Sequence, residues 1–175
     1  MQILKTLLLN IGGRLINVAE NDCAMKPMKV VIDTNILIKM LGLRSSCYWI
    51  RKAIENRQLA LCLTTDILNE YEEILTRFYD AKTAALFLDA LDSLPNIHYI
   101  SKSYFFKLIP QDQDDEKFAD CAIAIGADYI VTNDRHFNVL KTVAFPIVRV
   151  VNEDEFKQIC SDLGIETPPK SKKIK

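Results

Sequence analysis

Short apolar runs alternate along the chain with longer segments whose apolar residues recur every three or four positions. The short runs show little polar alternation, which is typical of strands in a parallel sheet that is covered on both faces. These predicted strands are residues 30–32, 59–63, 97–100, 128–132 and 146–151. The longer segments predict amphipathic helices. These predicted helices are residues 36–43, 48–57, 65–78, 81–94 and 115–125, a short segment up to residue 140, and a last helix from residue 153.

Small polar residues and a glycine mark the predicted ends of several helices. Thr34 or Asn35 is suited to cap the helix after the first strand, because its side chain can accept from a free backbone N–H. Thr64 or Thr65 is suited to cap the helix after the second strand in the same way. Gly126 is expected at a helix C-terminus, where a left-handed backbone conformation is common.

Strands that alternate with helices predict an α/β fold, in which helices cover both faces of a central, mostly parallel sheet in three α/β/α layers. We expect one domain over residues 28–164. A peripheral extension over residues 1–27 should precede it, and a basic, disordered tail over residues 165–175 should follow. The apolar run near the N-terminus is too short to span a membrane. Met25 and Met28 stand just before the first strand, and our hypothesis is that the natural start lies there.

Composition and charge narrow the class of protein. The 175 residues are 49% hydrophobic and 26% charged, which suits one soluble domain with a large core. The net charge is -1, and the lysines of the tail supply much of the positive charge. The folded body is therefore acidic, which argues against a broad surface for non-specific DNA binding. The five cysteines are odd in number and form no Cys-x-x-Cys pair, which favours a reduced, intracellular protein without a zinc site.

Four carboxylates are predicted to meet at one edge of the sheet. Asp33 and Asp134 follow the first and fourth predicted strands, while Glu70 and Asp115 lie in the early turns of helices. Right-handed connections bring such positions to the same edge, where ligands bind in open α/β sheets. Four uncompensated carboxylates would repel one another, so we expect a divalent cation. Ligation by oxygen atoms alone favours Mg²⁺ or Mn²⁺ over zinc.

Hydrolysis of a phosphodiester is the chemistry that suits hard cations in an all-carboxylate cleft. The ion can hold a phosphate oxygen, lower the pKa of water and stabilise the charge on the leaving oxygen. No side-chain nucleophile is required, and the sequence has no recognisable serine or cysteine nucleophile motif.

Four motifs along residues 28–160 carry a resemblance to a known family. They are residues 31–35 (Val-Ile-Asp-Thr-Asn), 65–70 (Thr-Asp-Ile-Leu-Asn-Glu), 114–122 (Asp-Asp-Glu-Lys-Phe-Ala-Asp-Cys-Ala) and 126–134 (Gly-Ala-Asp-Tyr-Ile-Val-Thr-Asn-Asp). In this order and spacing the chain resembles the PIN-domain nucleases. Within them it resembles the prokaryotic group often assigned as toxins of toxin–antitoxin pairs.

The resemblance implies a Mg²⁺- or Mn²⁺-dependent endoribonuclease. In such an enzyme Asp33, Glu70, Asp115 and Asp134 would bind the ion and activate water. The resemblance further implies an RNA substrate, an antitoxin protein as partner, a homodimer and a cytoplasmic location without a membrane. The predicted helix pair over residues 65–94 offers apolar surface for the homodimer.

Other matching positions have auxiliary roles by the same resemblance. Asn35 would help position Asp33 or the ion, and Thr132 would form a hydrogen bond within the site. Thr65 stands where the family often has serine, which keeps the hydroxyl. Asp114 is an auxiliary candidate beside the proposed ligands. Asn133 stands where a glycine or small residue is common, a change that concerns substrate fit.

Each candidate also has a plainer interpretation. Asp33 and Asp134 could cap helices, Glu70 could be an ordinary solvated residue, and Asp115 could favour a helix N-terminus through the helix dipole. His136 is interpreted first as a surface histidine and second as a general base or phosphate contact. His98 is expected to pack within a strand. Basic residues near the predicted cleft are candidates for RNA phosphates, although most such residues are ordinary solvated surface. They are Lys39, Arg44, Arg77 and Arg135.

Two competing functions stay open on the sequence alone. An α/β phosphatase could use Asp33 as its nucleophile. The Asp-x-Asp arrangement of one such family is absent, however, since Thr34 and Asn35 follow Asp33. The other function, from a different class, is a PIN-like module that binds RNA or protein without cleaving.

Overall fold

The computed structural model describes residues 26–101 and 104–168. The predicted N-terminal extension lies outside these ranges except for residues 26 and 27, and the predicted disordered tail lies outside them from residue 169 onwards. Within them, no helix is both long and apolar enough to cross a lipid bilayer.

Five parallel strands form one sheet. They are β1 (Met28–Ile32), β2 (Leu59–Leu63), β3 (Ile97–Tyr99), β4 (Tyr129–Val131) and β5 (Val150–Val151). Their order across the sheet is β3-β2-β1-β4-β5, and every neighbouring pair is parallel. β1 is therefore the central strand, which confirms the predicted parallel sheet.

Helices connect the strands and cover the sheet. They are α1 (Thr34–Leu41), α2 (Tyr48–Glu55), α3 (Thr65–Phe78), α4 (Ala81–Asp92), α5 (Glu116–Ile125) and α6 (Glu153–Asp162), with a 3₁₀ helix over His136–Thr142. This arrangement confirms the predicted three-layer α/β/α fold. Gly126 ends α5 with φ 61°, as its position after the apolar pattern indicated.

The centre of the sheet is the core of the molecule. All five residues of β2 and the last three of β1 are buried. From α1, Ile36, Leu37 and Met40 pack on the sheet with no exposed surface, and Ile67 and Tyr71 do so from α3. Removing a large apolar side chain from water stabilises the fold by about 1.5–3 kcal/mol, so these positions fix how α1 and α3 lie against β1.

Strand β5 is shorter than the pattern predicted. The prediction of a strand over residues 146–151 is wrong for its first part, because β5 contains Val150 and Val151 alone. Its neighbour β4 offers only three residues for pairing. Pro146 has no N–H to donate to a ladder, and the Ile147 side chain is 75% exposed.

Strand β3 lies at the edge of the sheet. His98 and Tyr99 on this strand are exposed, so the prediction that His98 packs in the interior is wrong. Asn96, just before β3, is the buried polar residue of this region. Its side-chain amide donates to the carbonyl of Ile54 at 2.8 Å and to that of Leu59 at 2.6 Å. These bonds tie the start of β3 to α2 and β2.

The four cysteines in the described part of the chain are buried, and none of them forms a disulfide. Burial raises the pKa of Cys47 and of Cys160 to about 12, and that of Cys62 to about 11. These thiols are therefore protonated at neutral pH and behave as small apolar residues.

Tyr71 ties α3 to the end of the central strand. Its hydroxyl donates a hydrogen bond to the carbonyl of Ile32, the last residue of β1, and its side chain is fully buried. We expect Tyr71→Phe to lower the free energy of unfolding by about 1–2 kcal/mol, because a buried hydrogen bond is lost. Urea denaturation followed by circular dichroism measures this change.

A matched control for this substitution is Tyr79→Phe, which removes the same hydroxyl from a side chain that is 42% exposed. It should change the free energy of unfolding by less than about 0.5 kcal/mol. Equal losses in Tyr71→Phe and Tyr79→Phe would contradict the role given to the Tyr71 hydroxyl.

Candidate active site

The carboxyl ends of two neighbouring strands form the floor of the site. Asp33 follows β1 and Thr132 follows β4. These strands are parallel neighbours, so the two residues lie side by side. The Thr132 hydroxyl donates a hydrogen bond of 2.8 Å to Asp33 Oδ2, and the Asp33 N–H donates to the carbonyl of Val131 at 3.1 Å.

Asp33 is 4% exposed and is the N-cap residue of α1. Its Oδ1 accepts from the Asn35 N–H at 3.5 Å. The prediction that Thr34 or Asn35 caps α1 is therefore wrong. The Thr34 hydroxyl instead donates a hydrogen bond to Glu70. Burial raises the pKa of Asp33, and the charges of Glu70 and Asp134 raise it further, although the hydrogen bonds that Asp33 accepts oppose the shift.

Glu70 lies in the second turn of α3, and the chain itself engages both of its carboxylate oxygens. The Thr34 hydroxyl donates to Oε1, and Lys117 Nζ lies 2.5 Å from Oε2. The sequence analysis did not identify Lys117 as a site residue. The sequence signal that could have identified Lys117 was its position in the first turn of α5, two residues after Asp115.

Asp115 lies directly before α5 rather than inside its first turn, and its side chain makes no capping hydrogen bond. Its Oδ2 is buried and accepts no hydrogen bond from the described residues. Burial raises the pKa of Asp115 to about 7, and the carboxylates of Asp112, Asp33 and Asp134 act in the same direction, whereas His136 lowers it. A buried anionic oxygen without a donor is costly, so this atom is suited to a cation.

His136 lies among three carboxylates at the outer side of the site. Its Nδ1 is 3.5 Å from Asp134 Oδ1, 3.6 Å from Asp112 Oδ2 and 3.7 Å from Asp115 Oδ2. Asp112, Asp115 and His136 are spaced closely enough to share a metal ion. The side chain of His136 is 47% exposed, but it belongs to the site rather than to a separate part of the surface. Asp112 was not among the site residues predicted from the sequence.

Asp134 is fixed by the backbone around it. Its N–H donates to Thr132 Oγ1 at 2.9 Å, and its Oδ1 accepts from the His136 N–H at 2.8 Å. Thr132 thus contacts both Asp33 and Asp134. The four predicted acidic residues lie close together at one edge of the sheet. Because they are close, the charges of Glu70 and Asp134 raise the pKa of Asp33, and those of Asp33 and Asp134 raise the pKa of Asp115.

The predicted auxiliary residues differ in where they lie. Thr132 is buried at the centre of the site, while Asn35 contributes a backbone N–H and its side chain is exposed. Thr65 is exposed at the start of α3, and the capping side chain there is Thr64. Asp114 is exposed beside the site.

Two of the four predicted basic residues are already engaged by carboxylates. Lys39 Nζ lies 3.3 Å from Glu153, and an Arg77 guanidinium nitrogen lies 2.7 Å from Glu73. Arg44 is exposed in the segment between α1 and α2.

An open cleft of about 480 Å³ continues from Asp134 towards the N-terminus of α6. Arg135, Asn138 and Lys141 line one wall. A 3₁₀ helix has three residues per turn, so these three positions stack on one face. The opposite wall holds Asn152, Glu153 and Asp154.

The donor set fits a hard divalent cation. Carboxylate oxygens from Asp33, Asp115 and Asp134 are the ligands that Mg²⁺ and Mn²⁺ prefer. The unpartnered Oδ2 of Asp115 supports the fit, since the described protein supplies it with no hydrogen-bond donor. His136 adds a nitrogen at the rim, which suits Mn²⁺ better than Mg²⁺.

A parallel sheet that gathers carboxylates at the carboxyl ends of its central strands defines an α/β domain with an acidic cleft at that edge, where ligands bind in open α/β sheets. The sequence profile of the PIN domain matches residues 29–136, which is more than half of the chain. The chain belongs to the PIN-domain family. The resemblance that its motifs indicated is therefore confirmed.

Two solved structures share this fold. VapBC2 from Rickettsia felis, bound to a DNA fragment from its promoter, is 19% identical with a TM-score of 0.52, and the match covers 71% of this chain and 98% of that one. VapBC-1 from nontypeable Haemophilus influenzae is 13% identical with a TM-score of 0.52, and the match covers 73% and 99%. At these identities the likeness is one of fold. No curated protein matched the chain.

The raised pKa of Asp115 predicts how stability depends on pH. An acid whose pKa rises on folding destabilises the folded state at high pH, and the penalty shrinks as the pH falls through the folded pKa. With a pKa of about 7 for Asp115, we expect Asp115→Asn to raise the free energy of unfolding at about pH 8 by about 2–4 kcal/mol. The gain should shrink as the pH falls from about 7 towards about 4. Urea denaturation in EDTA measures it.

Asp114→Asn is the control for this experiment, because it removes a neighbouring carboxylate that is exposed. It should leave the free energy of unfolding within about 0.5 kcal/mol of the wild-type value. A wild-type protein that matches Asp115→Asn at every pH would show that Asp115 carries no burial penalty.

Proposed function

We propose that this chain is a Mg²⁺- or Mn²⁺-dependent endoribonuclease that cleaves phosphodiester bonds of RNA. The observation that carries the proposal is the meeting of Asp33, Glu70, Asp115 and Asp134, with a buried Asp115 oxygen that has no hydrogen-bond donor. Protons or cations must offset this charge at neutral pH, and a divalent cation also serves phosphodiester hydrolysis. Membership of the PIN-domain family supports a nuclease.

In this proposal Asp33, Asp115 and Asp134 would hold the ion, and Glu70 is the fourth carboxylate of the cluster. When bound, the ion would supply Lewis-acid stabilisation of charge on the phosphate and would lower the pKa of the attacking water. Thr132 orients two of these residues, since its hydroxyl donates to Asp33 and accepts from the Asp134 N–H. The carboxylates are thus held in place before the substrate binds, which favours electrostatic stabilisation of the transition state.

The substrate strand is proposed to lie along the cleft beside Asp134. Arg135 and Lys141 are exposed on one face of the 3₁₀ helix, and neither forms an ion pair with a described residue. Glu153 on the opposite wall is compensated by Lys39 at 3.3 Å. The two free cations are therefore available to contact phosphates on one side of the scissile bond.

We further propose that the nuclease is the toxin of a toxin–antitoxin pair in the cytoplasm. Two structures with the same fold are VapBC proteins. The proposed partner is an antitoxin that enters the acidic cleft with a basic side chain or blocks it. The proposed homodimer forms through α3 and α4, near the exposed Phe78 and Tyr79, which are 62% and 42% exposed.

Asp33→Asn tests the proposed chemistry. The amide can still accept from Thr132, so the fold should be kept, but a negative charge at the ion is lost. We expect cleavage of a labelled single-stranded RNA in Mn²⁺ to fall about 10²-fold or more. Gel analysis of the products measures it, with EDTA as the metal-free arm.

Asp89→Asn on the exposed side of α4 is the matched control, and it should cleave like the wild type. Wild-type activity in Asp33→Asn would contradict the proposed site. A wild-type protein that binds RNA without cleaving it in either metal would favour the non-catalytic alternative.

The proposed substrate contacts predict a change in the salt dependence of RNA binding. In the Asp33→Asn background, which keeps the RNA intact, we expect Arg135→Ala and Lys141→Ala each to weaken binding. Each should also reduce the slope of log affinity against log salt by about 0.7, because one phosphate contact to a single strand is lost. Fluorescence anisotropy at several salt concentrations measures both effects.

Arg149→Ala is the matched control for these substitutions. Arg149 is exposed in a separate cavity at the amino ends of the strands, with Arg57 and Asp128. Its removal changes the net charge equally and should leave the slope unchanged. A slope that responds equally to Arg149→Ala, Arg135→Ala and Lys141→Ala would place the RNA elsewhere.

A further inference from the structure

One cation is already built into the acidic site. Lys117 Nζ lies 2.5 Å from Glu70 Oε2, and the Thr34 hydroxyl donates to Glu70 Oε1. Each carboxylate oxygen of Glu70 therefore already has a donor from its own chain. Asp115 is the opposite case, because its buried Oδ2 has no donor among the described residues.

The Lys117–Glu70 pair is anchored on both sides. Glu70 belongs to α3 and Lys117 to α5, and these helices pack on each other. The Lys117 side chain is 16% exposed and that of Glu70 25%, and Lys117 Nζ lies 5.6 Å from the centre of the Phe118 ring. Exposed ion pairs contribute little to the free energy of unfolding. This pair, however, lies beside a cluster of carboxylates, where an ammonium offsets the repulsion between them.

We propose that Lys117 is a positioning residue that compensates Glu70 and limits the site to one divalent cation, bound by Asp33, Asp115 and Asp134. The inference rests on the proposed metal-dependent function and gives Glu70 an indirect role within it. A fixed ammonium repels a second ion on its side of the site. Like charges that lie close together in a partly buried site repel one another strongly, so the ammonium is able to decide whether a second ion binds.

Lys117→Gln tests the inference through metal binding alone. The substitution removes the ammonium and keeps a polar side chain of similar reach. We expect Mn²⁺ to bind about tenfold more tightly, and the number of bound ions to rise from one to two. Electron paramagnetic resonance of free Mn²⁺ during a titration of the full chain measures both, without RNA or a measurement of activity.

Two control variants separate the effect of the Lys117 charge on Mn²⁺ binding from the structural effect of a substitution. Lys117→Arg keeps a cation beside Glu70 and should bind Mn²⁺ like the wild type. Lys39→Gln removes a lysine that pairs with Glu153 at 3.3 Å instead of with Glu70, and it should also match the wild type. Unchanged or weaker Mn²⁺ binding in Lys117→Gln would overturn the inference.

The double variant Glu70→Gln with Lys117→Gln provides a second test, which also holds if the single variant folds poorly. It removes an ion pair with no net charge, so Mn²⁺ affinity should stay within about twofold of wild type. A loss of about tenfold would mean that Glu70 ligates the ion directly, and the inference would be overturned. Absence of RNA cleavage alongside the expected Mn²⁺ pattern would count against the nuclease proposal alone.

Discussion

The repulsion between carboxylates held together in a dry environment is the constraint around which this molecule is arranged. Burial raises the pKa of Asp33 and of Asp115, and the charges of neighbouring carboxylates raise both pKa values further. The chain relieves part of the repulsion itself, with the Lys117 ammonium at Glu70 and the His136 ring beside Asp134. The relief is incomplete at Asp115, whose buried oxygen lacks a donor. Under the proposed function, a bound cation would supply the missing compensation.

A rigid scaffold is needed to keep such groups from moving apart, and the fold supplies it at the end of β1. The central strand is buried on both faces, and the hydroxyl of Tyr71 on α3 donates a hydrogen bond to the carbonyl of its last residue, Ile32. Thr132 joins Asp33 to Asp134 across neighbouring strands. The contacts at the end of β1 therefore stabilise the fold at the same few residues where repulsion between carboxylates destabilises it. Such a cost in stability is common where residues are arranged for function.

Sequence reasoning predicted the parts of the structure that local pattern determines. Apolar runs located the strands, Gly126 marked the end of α5, and strand-end positions brought Asp33 and Asp134 together. It missed features that depend on tertiary contacts. The pairing of Lys117 with Glu70 joins two helices distant in the chain, and no periodicity encodes it. The strand predicted over residues 146–151 forms only at Val150 and Val151, because only these two residues pair with β4, and pairing with a neighbouring strand cannot be read from the run itself.

The order of the strands has a consequence for how the protein is made. β4 pairs with the central strand β1, yet a long stretch of chain separates them, and Asp134 follows β4. A growing chain on the ribosome therefore carries Asp33 and Glu70 well before it can complete the acidic cluster, and Asp115 only shortly before. The last carboxylate is added only when β4 emerges and inserts beside β1. Any partner that must meet the protein before the cluster is complete therefore has the period of translation before Asp134 is made in which to do so.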